Sequence, residues 1–193
     1  MIAIAILVRC TSTGPALFLQ TRIGRDFKPF QIYKFRSMVQ NAPAQGPQIT
    51  VGADKRITRI GNLLRKTKLD ELPQLLNVFK GDMSFVGPRP EVAKYVEMFR
   101  DDYAIILQVG PGITDLATLE FRHESEILAN AKDAEDEYCR RILPTKVALS
   151  KQYIAKQSLG FDIVILFRTV KAIFTTAESC VSRDMQQETS FPK

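Results

Sequence analysis

The chain has 193 residues, 45% of them hydrophobic and 25% charged, which suits one folded domain or at most two small ones and excludes a disordered polymer. Its three cysteines are widely spaced, which excludes a disulfide framework and a CxxC metal knuckle; a single histidine, His123, excludes a multi-histidine metal site and leaves little room for a Ser–His or Cys–His nucleophile. The net charge of +6 is uneven: residues 1–100 hold 16 Lys and Arg against 7 Asp and Glu, and residues 101–193 hold 11 against 14, so the first half suits an anionic partner.

Residues 1–8 are apolar and end at Arg9, without the basic leader or cleavage site of a signal peptide. They read as a buried first strand, or as the last two turns of a membrane helix. No run of about twenty apolar residues follows. Residues 17–21 and 30–35 form a hairpin about the Gly24-Arg25-Asp26 turn, with Phe30, Ile32, Lys34 and Arg36 on one face. Two prolines and a glycine make 41–50 a loop. Ile57, Ile60, Leu63 and Leu64 keep helical spacing among Lys55, Arg56, Arg59, Arg65 and Lys66. A second helix over 69–79 places Leu72, Leu75, Leu76 and Phe79 on a core-facing stripe, with Asp70 as its N-cap, Pro73 in its first turn and Gly81 as its stop. A short strand at 83–86 leads to the rigid turn Gly87-Pro88-Arg89-Pro90.

Helices are expected over 91–107, ending at Gly110-Pro111-Gly112, and over 124–149, the most acidic stretch. A last helix over 162–175 carries Ile163, Leu166, Phe167, Val170, Ile173 and Phe174 on one face and Arg168 and Lys171 on the other. That face belongs either in a core or at a membrane interface. A loose polar tail follows Ala177. The fold class is α+β, mainly helical, with a short β-hairpin and a short strand.

Asp70 and Glu71 are adjacent acids at a helix start, where acids commonly cap N–H groups and complement the helix dipole. Their neighbours are Arg65, Lys66 and Lys68 before them and Arg89 after a proline-stiffened strand end. Carboxylates among cations should be ionised, able to hold a hard divalent metal or to attack phosphorus, while the cations hold substrate phosphates. Pro88 and Pro90 restrict the loop that presents Arg89. Neither GxxxxGK[ST] nor GxGxxG occurs, so a P-loop or Rossmann site is unsupported.

The run from Lys68-Leu69-Asp70-Glu71-Leu72-Pro73-Gln74 through Gly87-Pro88-Arg89-Pro90 closely resembles the bacterial sugar transferases, the monotopic phosphoglycosyl transferases. Phe18-Leu19-Gln20-Thr21-Arg22-Ile23-Gly24, Ile32-Tyr33-Lys34-Phe35-Arg36-Ser37-Met38 and Pro111-Gly112-Ile113-Thr114 resemble the same family, so the likeness covers roughly 15–175. It implies transfer of a sugar-1-phosphate from a UDP-sugar to undecaprenyl phosphate, with Mg²⁺, at the start of cell-surface glycan assembly: exopolysaccharide, lipopolysaccharide or capsule. Asp70 would attack the sugar-side phosphorus to form a covalent phosphosugar intermediate and would hold the metal. Glu71 would assist the lipid phosphate in the second step. Lys34, Arg65 and Arg89 would hold phosphates, with Pro88 and Pro90 shaping the loop and Arg22 and Arg36 as further candidates.

The resemblance divides the chain into 1–8, the residual end of a re-entrant membrane helix; 9–177, the catalytic domain; and 178–193, a polar tail. It implies a monotopic or peripheral protein on the cytoplasmic face of the bacterial inner membrane, with amphipathic helices at the interface and no nucleic-acid partner. Two departures stand out. No Ser-Pro pair occurs near the start; and Gly110 stands where an arginine is usual and Asp115 where many members have glycine, which bears more on substrate choice than on the reaction type. The alternatives are a catalytically silent truncated member and a basic module that binds anionic surfaces.

Overall fold

The apolar start is helical. In the computed structural model, which describes residues 1–42, 45–46, 49–52 and 54–188, with side chains through Ile173, α1 spans Ile2–Thr11. This corrects the strand reading of residues 1–8. A helix satisfies backbone N–H and C=O groups within the segment itself and needs no sheet partner. β1 (Leu17–Ile23) pairs antiparallel with β2 (Pro29–Phe35), Leu17 opposite Phe35 and Ile23 opposite Pro29. On the far side of β2, the Asn77 carboxamide accepts from the Tyr33 N–H at 3.1 Å and donates to the Gln31 carbonyl at 2.7 Å. α1 satisfies its own backbone instead and buries Val8 against Phe35 and Leu64.

α2 spans Arg59–Lys66, capped by the Thr58 hydroxyl on the Gly61 N–H at 3.0 Å. A Cβ on Gly61 would stand 1.9 Å from the Ser37 carbonyl oxygen, so glycine alone lets α2 lie this close to the end of the hairpin. Of the expected apolar stripe, Leu64 is buried and Leu63 half exposed. A 3₁₀ segment, Leu69–Gln74, runs into α3, Leu75–Lys80, which Gly81 ends in the left-handed region at φ +81°.

Here the expected sidedness is reversed. Asp70, Pro73, Gln74 and Asn77 are buried, whereas Leu75 and Leu76 are about two-fifths exposed (42% and 41%) and Phe79 is 91% exposed. Asp70 does not cap the helix either, because Lys68, itself left-handed at φ 58°, occupies that position. The segment is helical, as its periodicity predicts, but its polar face turns toward β2.

β3 (Ser84–Val86) pairs in parallel with β4 (Gly112–Thr114), a partner the glycine-proline break had concealed. The two backbones meet at Gly87 and Gly112, where an added Cβ on Gly112 would lie 2.1 Å from the Gly87 nitrogen. The helix expected over 91–107 is two, α4 (Ala93–Met98) and α5 (Arg100–Ile106), broken at Phe99. α6 spans Leu116–Glu120. The stretch expected over 124–149 divides into α7 (Glu124–Ala129), α8 (Ala134–Glu137), a π turn (Tyr138–Ile142) and α9 (Leu143–Lys156). Asp133 restarts it by capping the Glu135 and Asp136 N–H groups at 2.9 and 3.1 Å. The widened π turn accommodates Pro144, whose ring a straight helix would press into the preceding turn.

α10 (Leu159–Glu188) starts earlier than expected and runs on into the stretch expected to be loose, since neither glycine nor proline interrupts 161–191. The rest of the expected tail, 189–193, lies outside the described residues, as do the Phe174 side chain and parts of the 41–50 loop. α10 buries Ile165, with Val86 and Tyr153, and leaves Ile163, Phe167 and Val170 exposed. Among the described residues, the largest apolar cluster joins Val92 and Tyr95 of the α4 region to Leu128, Tyr138, Ile142 and Leu143. No helix among the described residues is long and apolar enough to cross a membrane.

Candidate active site

Lys68 turns the chain sharply after α2, and the 3₁₀ segment then places Asp70 and Glu71 beside β2 and the Pro88-Arg89-Pro90 loop. The two carboxylates have different surroundings. Glu71 is clamped: Lys34 Nζ lies 3.0 Å from Oε1, Arg89 Nη2 donates to the same oxygen, and Arg89 Nη1 reaches Oε2 at 3.3 Å. Burial alone would raise its proton affinity, but Arg89 and Lys34 together hold its carboxyl well below the usual carboxylate range.

Asp70 is 8% exposed, and its Oδ1 has no hydrogen-bond partner. Burial first, and the Glu71 charge second, raise its pKa above the ordinary aspartate value; Lys34, Arg65 and Lys68 oppose this without prevailing. The cationic surroundings therefore depress one member of the pair and not the other. Gln74, one helical turn further on the same face, is fully buried, and both its amide atoms lack a partner. A buried polar atom left without a partner is uncommon and costs about 1–3 kcal/mol, which marks this face for a ligand, ion or water.

Among the other sequence candidates, Lys34, Arg89, Pro88 and Pro90 converge on the dyad. Burial lowers the pKa of Lys34, with Glu71 pulling it back up, and Glu71 raises that of Arg89. Arg65 donates from Nε to Ser37 Oγ at 2.8 Å and from Nη1 to Thr50 Oγ1 at 3.0 Å, with Asp70 the first of the acids acting on it. Arg22 is engaged on the far side of the loop, with Gln20, Glu91 and the Pro90 carbonyl. Arg36 turns away: its Nη2 donates to the carbonyl and hydroxyl oxygens of Ser12, both at 2.7 Å.

Gln74 and Asn77 belong to no motif that marks them in the sequence as site residues. Their spacing from Asp70, four and seven residues, traces a polar helical face as regular as the apolar one. The groove between α6, α9 and α10, about 410 Å³ in volume, is lined by Leu116, Leu119, Lys156, Phe161 and Arg168 among others and contains none of the dyad's neighbours.

Among the described residues, no group of three or more His, Cys, Asp or Glu side chains gathers for a metal. A hard divalent cation such as Mg²⁺ commonly takes only one or two carboxylates plus substrate phosphates, and the unpartnered Asp70 oxygen fits that mode.

The profile of the family described as bacterial sugar transferase matches residues 1–176. The chain is 40% identical over 178 residues to the UDP-N-acetylgalactosamine-undecaprenyl-phosphate N-acetylgalactosaminephosphotransferase of Aeromonas hydrophila, an alignment covering 91% of this chain and 39% of that protein. It is also 40% identical over 172 residues to the UDP-glucose:undecaprenyl-phosphate glucose-1-phosphate transferase of Escherichia coli, covering 86% of this chain and 34% of that one. With the exopolysaccharide production protein PSS of Rhizobium leguminosarum bv. phaseoli it shares 36% identity over 183 residues, 91% of this chain and 86% of that protein. The chain thus spans well under half the length of the first two relatives and most of the third.

Proposed function

Because the chain belongs to the bacterial sugar transferase family, we propose that it transfers a sugar-1-phosphate from a UDP-sugar to undecaprenyl phosphate through a covalent intermediate on Asp70. In the first step an Asp70 carboxylate oxygen attacks the sugar-bearing phosphorus; the diphosphate P–O bond breaks and UMP leaves. In the second, an oxygen of undecaprenyl phosphate attacks the same phosphorus and the Asp70–phosphorus bond breaks. This gives the lipid diphosphate sugar and restores the carboxylate. The observation that carries this reading is the contrast within the dyad: Glu71 is fully engaged by Lys34 and Arg89, while Asp70 keeps a buried oxygen free.

Each neighbour has a distinct task in this scheme. Arg89 and Lys34 bind the donor's diphosphate, and their attraction to Glu71 holds them in place before substrate arrives. Arg65 balances the Asp70 charge. Glu71, kept ionised, acts through Lys34 and Arg89, whose charges it fixes toward the phosphates; the incoming lipid phosphate is already largely deprotonated near neutral pH and needs little base catalysis. Asp70 and the donor's phosphates would together hold Mg²⁺, which when bound neutralises phosphate charge.

The acceptor is nearly all hydrocarbon, so the site must meet a bilayer. The exposed side chains of Leu75, Leu76, Phe79, Phe85, Ile163 and Phe167 support an orientation with α3, β3 and α10 against the membrane surface. α10 packs on α2 and β3, and α3 also packs on β3, which links these elements to the dyad. We place the protein on the cytoplasmic face, where nucleotide-activated sugars are available, and assign it to cell-surface glycan initiation, in keeping with the name of the Rhizobium relative.

The test is UMP release. With undecaprenyl phosphate and Mg²⁺, and with UDP-glucose, UDP-galactose and UDP-N-acetylgalactosamine offered in turn, at least one donor should give UMP, and Asp70→Asn should abolish it. No UMP from any of them, or equal release by the variant, would overturn the reading.

A further inference from the structure

We infer that Asp115 and Glu91 are positioning residues that grip the Pro88-Arg89-Pro90 loop from its two ends and so fix where Arg89 meets the donor's diphosphate; this rests on the proposed role of Arg89. Between Gly87 and Pro90 the two prolines leave only two backbone N–H groups. Gly87 donates one to the Thr114 carbonyl at 3.1 Å, and Arg89 donates the other to Asp115 Oδ2, also at 3.1 Å. Two of the loop's carbonyls are held as well. Pro88 accepts from the Gly112 N–H at 3.1 Å, and Pro90 accepts from Arg22 Nη1 at 3.1 Å. Two of these four contacts come from the β4 backbone and are indifferent to side-chain identity. The other two depend on specific residues.

Asp115 is 2% exposed and divides its carboxylate between two tasks. Oδ1 caps α6 through the Thr118 N–H at 2.7 Å, and Oδ2 holds the Arg89 N–H. At the other end Arg22 is held by Glu91 Oε2 at 3.2 Å and by Gln20 Oε1 at 2.8–3.1 Å. The second Glu91 oxygen accepts from the Tyr138 hydroxyl at 2.8 Å. Tyr138 sits on the π turn with its ring against Tyr95, 4.8 Å between centroids, so it reaches Glu91 from a packed base. Burying a carboxylate is unfavourable unless donors compensate it, and each acid here spends one oxygen on a donor that locates the loop, the Arg89 N–H for Asp115 and Arg22 for Glu91. Proline removes the loop's internal freedom, and the two acids set its position relative to the dyad.

The double duty of Asp115 makes the claim separable from simple folding. Asp115→Ser keeps a helix-capping oxygen for Thr118 but is too short to reach Arg89. UDP binding to the full chain, with Mg²⁺ present, is measured by calorimetry beside melting temperatures. Losing the charge-assisted contact should weaken UDP binding by roughly tenfold, with the melting temperature lowered by no more than the few degrees that one unpaired N–H costs. Because the effect passes through Arg89, Asp115→Ser should cause no further loss in an Arg89→Ala background. Tyr138→Phe, which removes one hydroxyl and keeps the ring, should weaken binding in the same direction by about twofold to threefold, and it provides the test if Asp115→Ser fails to fold. Unchanged UDP affinity in both variants, an undiminished Asp115→Ser effect without Arg89, or no UDP binding by the parent would overturn the inference. UDP binding with this pattern but no UMP release would support the clamp while counting against the transferase reading.

Discussion

At Asp70, burial and the Glu71 charge raise the carboxyl's proton affinity more than Lys34, Arg65 and Lys68 lower it. An acid whose folded-state pKa is raised gives the fold most stability when protonated, below its unfolded pKa, and that contribution is lost as pH rises through the folded value. At neutral pH the ionised nucleophile is therefore a net cost to folding. Asp70→Asn, measured with chelator present, should melt at a higher temperature than the parent while losing turnover on the order of a thousandfold or more. A lowered melting temperature would mean that the cations dominate after all. Arg89→Ala removes a charge-assisted contact and should cost roughly tenfold to a hundredfold in UDP-sugar kcat/KM; unchanged kinetics would make the loop merely structural. At this scale the sequence was most legible for Asp70, Glu71, Lys34 and Arg89, whose charges sit beside helix-start and proline signals. It was least so for Arg22 and Arg36. Arg22 lies on the hairpin with Lys34 and Arg36 directly follows it, but what a guanidinium meets depends on residues distant in sequence, Glu91 for one and Ser12 for the other.

The segment from Leu69 to Lys80 illustrates how an element can be read correctly and faced wrongly. Its helical period was plain, with its end at Gly81, yet hydropathy periodicity is the same whether the apolar face meets a protein core or a lipid surface. What decides it is the polar face: Asn77 inserts between the Gln31 carbonyl and the Tyr33 N–H and also contacts Asp82 Oδ2 at 3.2 Å. Asn77→Ala leaves two β2 backbone groups unpaired, and urea unfolding should report a loss of about 2–3 kcal/mol. A loss below about 0.5 kcal/mol would show that water replaces the amide freely. The parallel β3–β4 pair was hidden for a different reason. Three-residue strands carry no measurable alternation, and Gly112 is there for close approach rather than for strand propensity.

Across the whole molecule, the proposed membrane association would draw on two terms, the basic first hundred residues and the exposed apolar faces. The electrostatic one contributes about 1 kcal/mol per Lys or Arg near an anionic bilayer and fades with salt. The apolar one, which includes Phe79 and Phe167, does not. In liposome flotation the chain should bind anionic vesicles and lose only part of that binding at high salt, and Phe79→Asp should reduce the salt-resistant part by about tenfold. Complete release by salt, or no effect of Phe79→Asp, would show that α3 does not enter the membrane. The most direct test of the covalent step is mass spectrometry of the intact chain and of its proteolytic peptides after incubation with an accepted UDP-sugar, without undecaprenyl phosphate. The expected result is a mass increase of one sugar phosphate on the peptide containing Asp70, absent in Asp70→Asn and discharged when the lipid phosphate is added. Turnover with lipid present but no adduct without it, or an adduct on another residue, would contradict the covalent role of Asp70.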